Sequence, residues 1–151
     1  MQATVQAKPR IYTYSTDVVK IAERAGVLSS KGKEEFRIAS PPEFKGEPGV
    51  WTPEDLFVAS VDTCTMLTFL ALANRNSLVV HEYRSQATGV LEPLNGKFQF
   101  SKVTLRPNVT VDQAEEVEKA KRLLKEAHAS CFVANSITTE VIIEPTIEVL
   151  N

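Results

Sequence analysis

The stretch TPEDLFVASVDTCTMLTFLALAN, residues 52–74, decides how this chain folds. Thr52 suits the N-cap, Pro53 the first helical position, and Glu54 and Asp55 put negative charge at the positive end of a helix dipole. Thr52 and Asp55 also have the spacing of a capping box, with Asp standing in for Glu. From Leu56 to Asn74 the only charge is Asp62. A helix here is apolar nearly all round, so most of its circumference needs covering. The apolar run Leu56 to Ala73 would span ~27 Å as a helix. Asp62 interrupts it, and Thr63, Thr65 and Thr68 dilute it, which favours a core helix over a membrane span. In a chain of 151 residues, such a helix implies a sheet wrapped around it or a second subunit against it.

Upstream, Ile11–Tyr14, Val18–Ala22 and Phe36–Ile38 read as short strands punctuated by Gly26 and Lys31-Gly32-Lys33. Residues 40–49 form a Pro/Gly-rich loop that can continue neither a helix nor a central strand. Downstream, residues 79–91 and 97–110 flank Pro93-Leu94-Asn95-Gly96, and Asn-Gly is the strongest short hairpin signal. Phe98 and Phe100 are out of phase with Val103 and Leu105, which predicts a bulge near Ser101-Lys102. Asp112 and Glu115 read as a second capping box opening an amphipathic helix to about Ala127, with Val117, Ala120, Leu124 and Ala127 inward. A short break precedes Cys131, whose thiol would then lie at the start of a new helical turn. Val141, Ile143, Ile147 and Val149 alternate with Glu140, Glu144 and Glu148 as a half-buried C-terminal strand. The order is α+β, not a βαβ alternation.

Composition narrows the function. The length predicts one domain over residues 1–151, able to bury roughly 70% of its unfolded surface without disulfides or metal. Seventeen Lys+Arg against nineteen Asp+Glu give a net charge of −2, no footprint for a nucleic acid. The first ten residues lack the apolar core of a signal peptide. A cytoplasmic protein with no membrane and no nucleic-acid partner is the expectation. Two cysteines, Cys64 and Cys131, far apart in sequence, exclude a C-x-x-C motif and a four-cysteine zinc site; neither metal nor cofactor is expected.

Taken alone, Cys64 reads as a small hydrophobe in a core, where burial raises a thiol pKa unless a cation sits beside it, and the helix itself supplies no Arg or Lys for that. Two cysteines in one pocket would read differently, because one thiolate can attack a peroxide and the other can resolve the product as a disulfide. His128, three residues before Cys131, leaves open a Cys–His pair for acyl transfer.

The residues Phe44-Lys45-Gly46-Glu47-Pro48-Gly49-Val50-Trp51-Thr52-Pro53-Glu54-Asp55-Leu56 resemble the Gly-rich loop and N-P-E-x-L helix start of the OsmC/Ohr family. As in that family, a cysteine follows about ten residues into the helix. Lys125–Cys131 is similar to the family's approach to its second cysteine, and the order of elements matches across nearly the whole chain. The resemblance implies antiparallel sheets around a long buried central helix in an intertwined homodimer, with active sites at the subunit interface. It implies reduction of organic hydroperoxides, with Cys64 as peroxidatic thiolate, Cys131 as resolving thiol, and Glu54 orienting an arginine, either Arg24 or Arg37. Phe57 and Leu67 would line the apolar substrate pocket. An external thiol reductant protein would close the cycle, a dihydrolipoyl group being what the family analogy implies. Glu54 and Cys64 lie roughly 15 Å apart along one helix, so they would meet across a two-fold axis. The chain departs from the family where Thr65 replaces the usual Phe and Phe132 the usual Pro. A non-catalytic dimer of the same fold, binding a small apolar or acyl ligand, is the alternative reading.

Overall fold

A computed structural model describes residues 8–151. Met1–Ala7, within the decapeptide read above for a leader, lie outside the described residues. The chain divides into two compact units, one ending at Pro53 and the other running from Glu54 to Asn151.

The first unit is an antiparallel sheet of β1 (Asp17–Ala22), β2 (Ala25–Ser29) and β3 (Phe36–Ala39), in that order. Two expectations change here. Ile11–Tyr14 joins no strand, and Gly26 lies within β2 instead of ending it. The turn is Glu23-Arg24, and Gly26 is in the strand because a Cβ there would sit 2.9 Å from the Val19 carbonyl oxygen. The Pro/Gly-rich loop folds back on β3, with Ala39 N–H donating to Trp51 O at 3.0 Å. Its tight return requires Gly46, where a Cβ would coincide with the Ser40 carbonyl.

The second unit is built on α1 (Pro53–Arg75), β4 (Val80–Leu94), β5 (Lys97–Val111), α2 (Val117–Ser130), β6 (Glu140–Ile143) and β7 (Thr146–Val149). Asn95 and Gly96 carry positive φ of 52° and 79°, the two-residue hairpin turn that the Asn-Gly pair predicts. The predicted bulge is present too. Val90 pairs with Lys102 and Leu91 with Phe100, leaving Ser101 as the extra residue.

β6 and β7 run parallel to β5, so this sheet is mixed rather than antiparallel, with α2 as the crossover that parallel pairing requires. The single C-terminal strand read from the sequence is divided in two while keeping one register. Leu105 pairs with Ile143 and Asn108 with Thr146, which sets Pro107 opposite Pro145. Neither proline has an N–H to give the ladder, so it lapses there and resumes.

α1 lies along β5. Val61 packs with Val103 and Leu105, and Phe69 and Ala73 pack with Val109, Val111 and the α2 residues Ala120, Leu123, Leu124 and Ala127. Gly89 of β4 lets α1 approach, since a Cβ there would lie 2.5 Å from Val58 Cγ2. Within the single chain, only Val61, Thr65, Phe69 and Ala73 of α1 are buried, and Leu67 is 60% exposed. The central helix is therefore buried along one stripe, not around its circumference.

Candidate active site

Cys64 stands in the middle of α1, half-buried, between the inward-facing Val61 and Thr65. Cys131 is fully buried at the C-terminal end of α2. The break expected at residues 128–130 is absent. α2 continues through Ser130, and Cys131 itself ends it, with φ −68° and ψ 117° and its N–H donating to His128 O at 3.3 Å. The chain then turns into a short 3-10 segment, Ala134–Ser136, and Ala134 N–H donates to Cys131 Sγ at 3.4 Å. Cys131 thus starts a helical turn, as expected, while also ending a longer helix.

Each thiol is near enough to the other to shift its acidity. Burial pushes the Cys64 thiol up. The Val133 N–H, the Cys131 thiol, the Phe132 N–H and the Thr68 hydroxyl together outweigh it, and Cys64 is held below the ordinary thiol value. Burial pushes Cys131 up as well, and there it prevails. The Ala134 N–H and Thr65 hydroxyl pull the other way, but the neighbouring Cys64 adds to the rise. The first proton to leave the pair is therefore the one on Cys64, the more accessible sulfur, and Cys131 retains its own.

The remaining predicted residues fall into two groups. In the second unit, Phe57 stacks on Phe100 with centroids 4.5 Å apart and belongs to the cluster holding Val61 and Val133, beside the cysteine turn. Leu67 occupies the open face of α1. Glu54 lies in the first turn of α1, and its Oε2 is buried with no hydrogen-bond partner among the described residues. In the first unit, Arg24 sits in the β1–β2 turn beside a hollow shared with Lys45, Gly46 and Glu47, and donates to Phe44 O at 3.4 Å. Arg37 forms a forked pair with Glu47, at 3.0 and 2.5 Å, which lowers the Glu47 carboxyl and raises the guanidinium. His128 Nδ1 is buried without a partner among the described residues, and its backbone carbonyl accepts from the Cys131 N–H.

Sequence reasoning missed the donors. Thr65 and Thr68 read as polar dilution of an apolar helix, yet both hydroxyls serve the sulfurs. Backbone N–H groups leave no mark in a sequence. Asp62, the one charge between Leu56 and Asn74 of α1, accepts from Ser85 Oγ at 2.6 Å and faces Tyr83, whose phenol is pushed up to about 12 by burial and then by that carboxylate.

Comparison with known proteins agrees with this architecture. The chain is 28% identical over 108 residues to the uncharacterized protein YmaD of Bacillus subtilis (strain 168), covering 69% of this chain and 71% of that one. An OsmC-like protein of unknown function from Vibrio cholerae O1 biovar eltor superposes with a TM-score of 0.83 at 27% identity, over 89% of this chain and 99% of its own. An organic hydroperoxide resistance protein OsmC from Legionella pneumophila shares the fold, with a TM-score of 0.69 at 22% identity over 93% of this chain and 99% of its own. Residues 46–146, well over half the chain, match the family of OsmC-like proteins, and this chain belongs to that family.

Proposed function

We propose that this chain is a thiol-dependent peroxidase that reduces organic hydroperoxides, alkyl or lipid, through a Cys64 thiolate and a Cys64–Cys131 disulfide. The observation that carries this reading is the pairing of a half-open Cys64 on α1 with a buried Cys131 at the end of α2. The two are near enough that the first thiol is pulled below the ordinary value while the second is raised. The name of the Legionella pneumophila relative points to the same substrate class.

In the first step the Cys64 thiolate attacks the distal oxygen of the hydroperoxide. The O–O bond breaks, the alkoxide takes a proton and leaves as alcohol, and Cys64 becomes a sulfenic acid. Cys131 sulfur then attacks Cys64 sulfur. The S–O bond breaks, and hydroxide leaves with the Cys131 proton as water, giving the disulfide. Two electrons from an external thiol pair, for which a dihydrolipoyl protein is the family's implication, restore both thiols.

Arg24 or Arg37 would align the peroxide, and the orphaned Glu54 Oε2 is the acceptor that a guanidinium would satisfy. The substrate's apolar tail would lie against Phe57 and Leu67, which favours an organic hydroperoxide over hydrogen peroxide. A second copy of the chain would complete the site. Leu67, 60% exposed on an apolar helix, belongs to a surface that calls for covering.

Stopped-flow mixing of the reduced protein with cumene hydroperoxide tests the reading. A fast phase ending in a Cys64–Cys131 disulfide, identified by peptide mass, is the expected result. Thiols that persist through that treatment would leave instead a dimer of the same fold binding a small apolar or acyl ligand.

A further inference from the structure

The last carbonyls of α2 have no partner further along the helix, so the segment that follows has to supply donors for them. His128 O takes the Cys131 N–H at 3.3 Å. Ala129 O takes a side chain, with Asn135 Nδ2 donating at 3.1 Å, and the Asn135 N–H donates to Cys131 O at 3.0 Å. One residue thus holds both the last turn of α2 and the carbonyl of the cysteine that ends it. The backbone N–H and C=O of Cys131 are both committed, and the Ala134 N–H on its Sγ at 3.4 Å limits the side chain as well. On either side of Asn135 in sequence, Val133 and Ile137 pack in the cluster that contains Phe57 and Val61, the α1 residues leading up to Cys64. An apolar anchor therefore ties this turn to α1, and the Asn135 carboxamide ties it to α2.

We propose that Asn135 is a positioning residue for disulfide closure: by tying the end of α2 to the turn, its carboxamide keeps the Cys131 sulfur in place for attack on Cys64. The inference rests on the peroxidase reading for the step it serves. There the S–S bond forms, the S–O bond of the Cys64 sulfenic acid breaks, and hydroxide leaves with the Cys131 proton as water. Two sulfurs held in place react as if each were highly concentrated around the other, and a looser turn dilutes one of them. The Asn135 bond to Ala129 is exposed, so it adds little to global stability. What its loss frees is local, the last turn of α2 and the cysteine that ends it.

The test is Asn135→Leu in the full-length protein, which keeps the side-chain volume and the backbone N–H and removes the donor. Two readouts should move in opposite directions. The equilibrium constant for the Cys64–Cys131 disulfide in glutathione buffers, read by mass spectrometry, should fall by roughly two- to fivefold. Alkylation of Cys131 by iodoacetamide in a Cys64→Ser background is slow in the parent because the residue is wholly buried, and it should speed up by a similar factor. Asn108→Ala is the control. It removes another exposed carboxamide bond, from Asn108 Nδ2 to Glu148 at 3.2 Å, and should leave both readouts where they are. A readout that does not move in Asn135→Leu overturns the proposal, as does an equal response to Asn108→Ala. Neither measurement uses peroxide. A protein inert to cumene hydroperoxide would end the peroxidase reading, while both readouts would still decide for or against Asn135.

Discussion

The two thiols of this chain act on one another's acidity and are pushed in opposite directions. Cys64, in mid-helix, is the position where an apolar environment should keep a thiol protonated, yet it is the one lowered. Cys131, at a helix end beside free N–H groups, looks the better place for a thiolate, yet it is raised. The difference lies in the count of donors against the depth of burial. Cys64 gathers two backbone N–H groups, a thiol and a hydroxyl while staying half-open. Cys131 is fully enclosed and has a neighbour whose negative charge opposes its own. Position along a helix decides less than which groups the next loop delivers.

Replacing either sulfur breaks the comparison most severely. Cys64→Ser should abolish reaction with cumene hydroperoxide. Cys131→Ser should leave the first oxidation intact while steady-state turnover with a dithiol falls at least about tenfold, since no disulfide can form. Equal losses at both stages in the two variants would mean that the sulfurs do not have separate roles. Mass spectrometry of Cys131→Ser should find the sulfenic acid, trapped with dimedone.

The pH profile sharpens the same contrast. A lowered thiol is ionised in the folded protein at pH values where an ordinary thiol is not. The rate of Cys64 oxidation should therefore rise with pH and level off below the ordinary thiol range, falling about tenfold per unit beneath its midpoint. In Cys64→Ser the alkylation of Cys131 should climb only at higher pH, because burial still penalises its charge. Crossing of the two curves would reverse the assignment of nucleophile and resolver.

Much of this was legible in the chain because it rests on local chemistry. Pro53, Glu54 and Asp55 announce α1, Asn95-Gly96 announces the hairpin, and the phase slip between Phe100 and Val103 marks the bulge at Ser101. What was not legible depends on partners distant in sequence. Gly26 reads as a turn residue until the Val19 carbonyl is seen beside it. The division of the last strand needs Pro107 and Pro145 to face one another, which only the parallel register reveals. The second capping box is misread by one residue. Gln113 N–H, not that of Asp112, meets the Glu116 carboxylate at 3.3 Å, because Asp112 is taken by His81 at 3.1 Å. At the site, both cysteines are visible in sequence, whereas the donors that separate their acidities belong to backbone and to threonines of an apolar helix.

Thr65 gives a smaller, directional test. Its hydroxyl is wholly buried, donates to Val61 O at 3.0 Å, and favours the Cys131 thiolate. Thr65→Val should slow disulfide closure from the sulfenic acid several-fold, roughly two- to fivefold, with the first oxidation step unchanged. Rapid-quench separation of the two steps reads this directly. A fall in the first step alone would place Thr65 on the wrong sulfur.

The smallest expected effect is at Thr68, and it tests whether a helical hydroxyl already spent on the backbone still counts. Thr68 Oγ1 donates to the Cys64 carbonyl at 2.8 Å, and of the groups favouring the Cys64 thiolate it contributes least. One hydroxyl has one proton, so a share given to the carbonyl is withheld from the sulfur. Thr68→Val should therefore reduce Cys64 alkylation at neutral pH by no more than about twofold, and Thr68→Ser should restore it. Thr63 is the built-in control, making the same bond to Ala59 O at 2.7 Å from the exposed side of α1. Thr63→Val removes the same kind of bond and should leave the sulfur titration where it is. If Thr68→Val instead slows alkylation by about tenfold or more, the hydroxyl carries the Cys64 thiolate, and the contrast between the two sulfurs has to be traced to α1.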